Sequence, residues 1–319
     1  MKVIKFGGTA FQTPKLVDNV CSIIDKEEKP LIVVASAIGR KGFPFATDTL
    51  IDSIKDNYLS NKELDRLLGL GEIYSTLFLV NALKRKKIKA YALSYLETGI
   101  ECNDNYNDGN IVCIDNKNYG LFSEKYDVLV IPGFVGYTNE NEIITLGRGT
   151  SDLTAVELAL VNKLDEVILY KEVDGIYPTL FINLIKIKPF EFLSYDELLA
   201  LIEIGFSPIN KKAVLEAKEN NLKIIVKNFI LNNKSTTISN QKSNNKVIGF
   251  NVDNNKVMIA TSYKEEVQKE LFEILKLSHI YIKEIEEGLS YFSFKINSSQ
   301  LLLLRQIILK KYFIHMLNV

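Results

Sequence analysis

Two short motifs hold the side chains with which this chain could do chemistry: Lys5-Phe-Gly-Gly-Thr9 and Leu146-Gly-Arg-Gly-Thr-Ser-Asp152. Each reads as a strand end that turns through glycines into a helix, a place where backbone N–H groups and a basic side chain can hold an anion. The first supplies the ammonium of Lys5. The second supplies Arg148, whose guanidinium fork suits a carboxylate, and Asp152, an acid at a helix start. Together they suggest two anions meeting across one crevice, the arrangement that phosphoryl transfer between a nucleotide and an acid needs.

Other chemistries fall away on composition. The two histidines, His279 and His315, lie near the C-terminus and far from the glycine motifs, so Ser-His-acid and Cys-His mechanisms are excluded there. Cys21, Cys102 and Cys113 are odd in number and widely spaced, which indicates neither a disulfide framework nor a thiolate zinc site; a reduced, cytoplasmic compartment is expected. Lys and Arg number 39, as do Asp and Glu, so the formal charge is zero and a nucleic-acid or membrane-surface role has no electrostatic support. Neither a signal-peptide pattern nor an apolar run of about 18 residues is found, so no membrane span is expected.

The elements that must position these residues alternate between strand and helix. With 319 residues, 47% of them hydrophobic, the chain can hold one large domain of about 200 to 250 residues and a small one. Val3 to Phe6, Pro30 to Ser36, Asp127 to Phe134, Glu166 to Tyr170 and Lys223 to Lys227 read as strands, mostly short apolar runs of the buried parallel type. Thr13 caps a helix with Pro14 in its first turn, and Ser194-Tyr-Asp-Glu197 is a capping box. The pattern predicts an α/β fold with a mainly parallel sheet, ligands binding at the carboxyl ends of its strands, where both motifs are expected to fall. A polar stretch from Asn232 to Lys246 reads as a connection leaving the large domain. After it a βαββαβ order is expected, enough for one ferredoxin-like module: strands at 256–261, 280–285, 289–296 and 312–317, helices at 264–277 and 299–310.

Six motifs, in order and at these spacings, resemble aspartokinases: Lys5-Phe-Gly-Gly-Thr9, Ala35-Ser-Ala-Ile-Gly-Arg-Lys-Gly42, Gly71-Glu72, Gly133-Phe-Val-Gly136, Leu146 to Asp152, and Val173-Asp-Gly-Ile-Tyr177. The resemblance spans about residues 1 to 230, and the βαββαβ tail is similar to the ACT modules that follow aspartokinase catalytic domains. It implies the amino-acid kinase fold, a carbamate-kinase-like three-layer αβα domain over 1–245, followed by an ACT-like module over 246–319 that serves dimerisation of two identical chains. It also implies transfer of a phosphoryl group from MgATP to the side-chain carboxylate of L-aspartate, with Mg2+ accompanying the nucleotide.

Carried over residue by residue, the resemblance makes Lys5 and Asp152 catalytic: the lysine on the transferring phosphoryl, the acid orienting it. Arg148 would fork onto the α-carboxylate of aspartate and Glu72 would take its ammonium, with Ser36, Thr47, Gly149, Thr150 and Ser151 at substrate positions. Phe6, Gly7, Gly8, Lys171, Glu172, Tyr177, Ser207 and Lys211 match or neighbour nucleotide positions, beside Lys5. Three departures lie on the nucleotide side. Lys171-Glu172 replaces Thr-Asp, Pro178 to Ile182 is rewritten, and Ser207 stands where the family has a lysine that meets ATP phosphates. Lys171 is the better candidate to supply the missing charge, ahead of Lys211 and Lys212. On the aspartate side Thr150 replaces a glycine. The tail suffices for one ACT unit and lacks the glycine after its first strand that helps seat an effector, so weak or absent feedback inhibition is expected. A family member that binds aspartate or a partner subunit without turning over ATP is the second reading, and kinases of acetylglutamate, glutamate or UMP are a third.

Overall fold

Apolar runs bounded by polar turns become the parallel strands. In the computed structural model, which describes residues 1–54, 58–180, 187–230 and 234–317, the chain divides into two units: Met1–Asp174 with Leu215–Asn233, and Gly175–Val214 with Lys234–Val319. Positions 181–182 of the rewritten stretch and 232–233 of the polar connection lie outside the described residues. In chain order the first unit holds β1 (Lys2–Phe6), α1 (Pro14–Lys26), β2 (Leu31–Ala35), α2 (Thr47–Ser53), α3 (Asn61–Arg85), β3 (Ala90–Ala92), β4 (Ile100–Cys102), β5 (Ile111–Ile114), α4 (Lys117–Lys125), β6 (Val128–Pro132), β7 (Val135–Tyr137), β8 (Ile143–Thr145), α5 (Ser151–Val161) and β9 (Glu166–Lys171). The second unit begins with β10 (Phe192–Ser194) and α6 (Tyr195–Glu203). The chain then returns through α7 (Lys211–Glu219) to β11 (Lys223–Asn228) of the first unit. It ends in the second unit with β12 (Ser235–Ser239), β13 (Val247–Asp253), β14 (Lys256–Thr261), α8 (Lys264–Leu277), β15 (Lys283–Glu287), β16 (Tyr291–Lys295) and α9 (Leu301–Tyr312).

In the first unit the order β11-β9-β1-β2-β6-β3 is parallel throughout. β2 and β6 are buried at every position, as a sheet covered on both faces requires. Ile4 and Phe6 of β1, with Val33, Ala35, Val130 and Tyr170, form one core with Val20 and Ile24 of α1 and Leu79 and Leu83 of α3. The alternate residues face the other way, where α5 packs on β1, β2 and β9. Thr13 caps α1 by accepting the Leu16 N–H at 3.3 Å. A small second sheet, β5-β4-β7-β8, was not anticipated from the sequence because its strands are only three or four residues long.

By length and composition α3 is long and apolar enough to cross a membrane, where the sequence reading expects no such stretch. Its hydrophobicity goes into packing on β2, β3, β6 and β8, and it carries the buried carboxylates Asp65 and Glu72. The helix is opened by an unpredicted capping box in which Ser60 and Glu63 exchange hydrogen bonds.

In the second unit the antiparallel order is β13-β14-β16-β15. The expected final strand at 312–317 is not one: α9 runs to Tyr312, a short 3-10 turn covers Ile314–Met316, and Leu317 makes a single bridge to Ile187. The fourth strand is β13 instead, joined to β14 by a two-residue Asn254-Asn255 turn with Asn254 at φ 54°. The ferredoxin-like order survives, with one edge filled from the front of the module. The capping box at Ser194 forms as predicted, with Glu197 Oε2 accepting the Ser194 N–H at 2.7 Å. α6 then packs on β13 and β14, and Asn251 donates to the Ile204 carbonyl at 2.8 Å. That packing is why 175–214 groups with the tail, and why the 245/246 boundary read from sequence falls inside the second unit.

Candidate functional site

The site is built at the carboxyl ends of the parallel strands. Lys5 pairs in register with Val34 of β2 and Leu169 of β9, so Lys5 and Lys171, two residues beyond Leu169, share the face that α5 covers. Asp152, in the first turn of α5, meets both lysines. Its Oδ1 accepts from Lys5 Nζ at 2.8 Å and from Lys171 Nζ at 2.8 Å, and its Oδ2 accepts from Lys171 Nζ at 2.7 Å. Lys5 and Asp152 are buried and Lys171 is partly so. Burial alone would raise the Asp152 pKa, but the Lys171 and Lys5 ammonium groups outweigh it and hold the carboxyl well below its usual range. Burial, with Lys5 as a like-charged neighbour, lowers Lys171 to about 8 against the attraction of Asp152.

Glycines let the backbone close around this cluster. The first motif turns into a short 3-10 segment, Gly8–Phe11, before α1 begins. A Cβ on Gly8 would stand 1.8 Å from the Ala37 carbonyl oxygen, so no other residue fits that turn. Gly149 adopts φ +77°, a left-handed conformation that turns the second motif into α5. That motif follows β8, a strand of the small sheet and not of the parallel one, so only the first motif ends a parallel strand as expected. Thr150 Oγ1 closes the turn on the Gly147 carbonyl at 2.6 Å, and both Thr150 and Ser151 are buried.

Glu72 differs from Asp152. It is 3% exposed, its Oε2 has no hydrogen-bond partner, and burial raises its pKa to about 8 although the Ala37 N–H and the field of Lys5 pull it down. That oxygen is open to a further hydrogen-bond donor.

Arg148 is exposed and forms an ion pair with Asp48 in the first turn of α2. Thr47, the first residue of α2, is half-buried, as is Ser36, whose N–H continues the strand by donating to the Phe6 carbonyl at 3.3 Å. Glu172 pairs with Arg40, which ties the turn after β9 to the loop after β2. Gly7 N–H donates to the Tyr170 carbonyl at 3.4 Å, so the β1 turn is laced to β9 as well. The structure thus gathers Lys5, Phe6, Gly7, Gly8, Asp152, Lys171 and Glu172 at adjoining strand ends of the first unit. Tyr177, Ser207 and Lys211 belong to the second unit, Tyr177 half-buried and the other two exposed.

Sequence reasoning missed three residues. Asp65, fully buried in α3, accepts the Asn107 N–H at 2.9 Å, the Thr145 N–H at 3.1 Å and the Thr145 hydroxyl at 2.5 Å, and so fixes the end of β8 just before the second motif. Its signal was available, since it precedes Glu72 by two helical turns on the same face. Arg40 and Asp48 lie in segments whose partners are far away in sequence, and nothing local announces them.

The first unit is thus a parallel α/β domain whose strand ends gather two lysines on one buried acid. The Amino acid kinase family profile matches residues 1–228, and the chain belongs to that family. It is 31% identical over 246 residues to the aspartokinase of Geobacillus stearothermophilus, covering 76% of this chain and 59% of that one. It is 32% identical over 246 residues to the aspartokinase of Helicobacter pylori, covering 75% and 59%. The chain therefore spans about three-fifths of the length of the curated relatives it matches. E. coli aspartokinase III in complex with aspartate and ADP superposes with a TM-score of 0.68 at 18% identity, over 93% of this chain and 79% of that one. Aspartate kinase from Synechocystis gives 0.66 at 24% identity, over 96% and 54%. At such identities the structural likeness establishes the fold.

Proposed function

We propose that this chain is an aspartate kinase that transfers the γ-phosphoryl group of MgATP to the side-chain carboxylate of L-aspartate, giving 4-phospho-L-aspartate. It would act in the cytoplasm as the first step of the aspartate-family amino-acid pathway. The observation that carries the reading is Glu72: a buried carboxylate oxygen without a partner, in the field of the same Lys5 that faces Asp152. Such a pair of sites suits an acceptor that brings an ammonium group to one and a reacting anion to the other. The aspartokinases named above support the same choice of acceptor.

In this reading Glu72 takes the ammonium group of aspartate and Arg148 its α-carboxylate, exchanging Asp48 for the ligand. Ser36, Thr47 and the Gly149 to Ser151 turn complete the acceptor side. Lys5, Phe6, Gly7 and Gly8 hold the nucleotide phosphates, with Lys171, Glu172, Tyr177, Ser207 and Lys211 on the nucleotide side. A carboxylate oxygen of aspartate forms a bond to the γ-phosphorus as the bond from that phosphorus to the β,γ-bridging oxygen breaks, and ADP leaves. The nucleophile is already ionised at neutral pH, so no general base is needed, which agrees with a site built without histidine. Lys5 stabilises the charge on the equatorial oxygens, and Asp152 fixes Lys5. Mg2+ brought with the nucleotide would supply neutralisation of phosphate charge. Among the described residues no group of three or more His, Cys, Asp or Glu that could hold a metal ion is found.

The ACT-like module would join two copies of the chain. Its edge strand β15 is exposed at every residue and so has main-chain groups to offer. Weak or absent inhibition by lysine or threonine belongs to the same proposal.

The test is ADP release by the purified chain with L-aspartate, N-acetyl-L-glutamate, L-glutamate or UMP as acceptor. Release with L-aspartate alone is expected. Release with another acceptor alone would replace the reading, and aspartate binding without turnover would make the chain a non-catalytic subunit.

A further inference from the structure

We infer that Lys171 is a catalytic residue, a second cation that contacts the transferring phosphoryl group together with Lys5, both held by the single carboxylate of Asp152. The inference rests on the reading of this site as a phosphoryl-transfer centre and adds a residue to its chemistry. Its basis is the charge balance of a buried cluster. Asp152 is neutralised by one lysine, yet two ammonium groups lie within 2.8 Å of it. Two positive charges against one negative leave an excess of one at a place where Lys5 and Asp152 are 6% and 3% exposed and the Lys171 side chain 20%. A buried excess charge is costly unless something pairs with it, and a protein seeking only to hold α5 on the sheet would use one lysine. The arrangement becomes balanced when an anion binds.

The charged groups facing Lys171 are Asp152 from α5 and Lys5 from β1. The neighbouring Glu172 is turned away to Arg40, and its carbonyl accepts from Asn228 of β11. Among the described residues no second acid therefore takes up the spare N–H donors of Lys171. Lys5 and Lys171 also leave adjacent parallel strands on the same face, so an anion seated at the strand ends lies within reach of both. The lowering of the Lys171 pKa to about 8 follows from burial and the same excess, and an arriving phosphate would raise it again. Placed here, Lys171 supplies from β9 a second positive charge beside that of Lys5.

The test uses the full chain with Lys171→Met and Lys171→Arg, each shown by thermal melting to be folded. Two readouts are taken: calorimetric affinity for the MgATP analogue AMP-PNP, and acyl-phosphate formation from MgATP and L-aspartate across pH 6 to 10. K171M is expected to lose about 10²- to 10³-fold in kcat while the KM for aspartate changes less than about 2-fold. It should also bind the analogue more weakly than wild type does. Wild-type kcat/KM for MgATP should fall above pH about 8, while kcat keeps its alkaline limb at higher pH, and K171R should keep measurable turnover with the kcat/KM limb moved upward. Wild-type kcat in K171M, or a loss confined to aspartate KM, would overturn the inference. If wild type binds the analogue but does not phosphorylate aspartate, the acceptor reading fails separately. Weaker analogue binding by K171M would then still support Lys171 at the phosphoryl group, and equal binding would remove it.

Discussion

Asp152 and Glu72 are both buried carboxylates in the field of Lys5, and they are held in opposite conditions. Asp152 receives three hydrogen bonds from two ammonium groups and stays ionised far into acid. Glu72 has the Ala37 N–H, one oxygen without a partner, and a pKa pushed up to about 8 by burial. The difference shows that the two parts of the site are unbalanced in opposite senses. Around Asp152 the surplus is positive and calls for an anion. At Glu72 the deficit calls for a cation. A substrate pair of nucleotide phosphate and amino acid meets both.

Removing the saturated side should do the most damage. Lys5→Met is expected to lower kcat about 10³-fold. Asp152→Asn leaves buried Lys5 and half-buried Lys171 without a counter-ion and should cost about 3 to 5 kcal/mol of stability, measured by denaturant unfolding, besides abolishing turnover. Because the Asp152 pKa is depressed in the folded protein, its stabilising contribution is present above the unfolded value of 3.8 and is lost as pH falls below it. Wild type should therefore lose stability faster than D152N on acidification. Equal acid sensitivity of the two proteins would break the contrast.

The open side should behave in the reverse sense. Glu72→Gln is expected to raise the KM for aspartate about 10- to 100-fold, yet to make the ligand-free protein more stable in alkali. The Glu72 pKa is raised from 4.5 to about 8, so its contribution to stability is full below 4.5 and disappears as pH rises through about 8. A glutamine cannot ionise, so E72Q should be more stable than wild type at pH 8.5 by an amount on the order of 2 to 4 kcal/mol, and the gap should close near pH 5. A variant that is less stable at both pH values would mean that Glu72 is a structural acid like Asp65.

Smaller effects belong to the exposed rim. Arg148→Lys should raise the KM for aspartate about 10-fold, because an ammonium cannot reproduce a guanidinium fork. Asp48→Asn removes only the surface partner of Arg148 and should tighten aspartate by no more than about 5-fold, an effect that high salt erases. Weaker binding in D48N would make Asp48 an orienter of Arg148 and not a competitor for it.

Much of this was legible in the sequence because local chemistry dictated it. The strand ends at Lys5 and Lys171, the Gly8 turn, the caps at Thr13 and Ser194 and the acid at the start of α5 all follow from neighbouring residues. The mismatch at Ser207 also drew attention to Lys171, and the structure sets that lysine against Asp152. What escaped depended on distant partners. The sequence reading assigns no element between the polar connection and Lys256, although Asn254-Asn255 is a hairpin turn between two apolar runs. The run from Tyr312 to Leu317 looks like a strand, but Lys311 and Tyr312 both reach Glu270 of α8, at 2.6 and 3.2 Å, and the helix continues through them. Ion pairs at the rim cannot be read locally either: Asp48 meets Arg148 across 100 residues and Arg40 meets Glu172 across 132.

The most direct measurement is acyl-phosphate formation by the purified chain with MgATP and L-aspartate, trapped as the hydroxamate, beside the Lys5→Ala variant. Hydroxamate that forms with wild type and vanishes with K5A is the predicted result. A folded wild-type protein that binds both L-aspartate and MgATP and yields no hydroxamate would contradict the account.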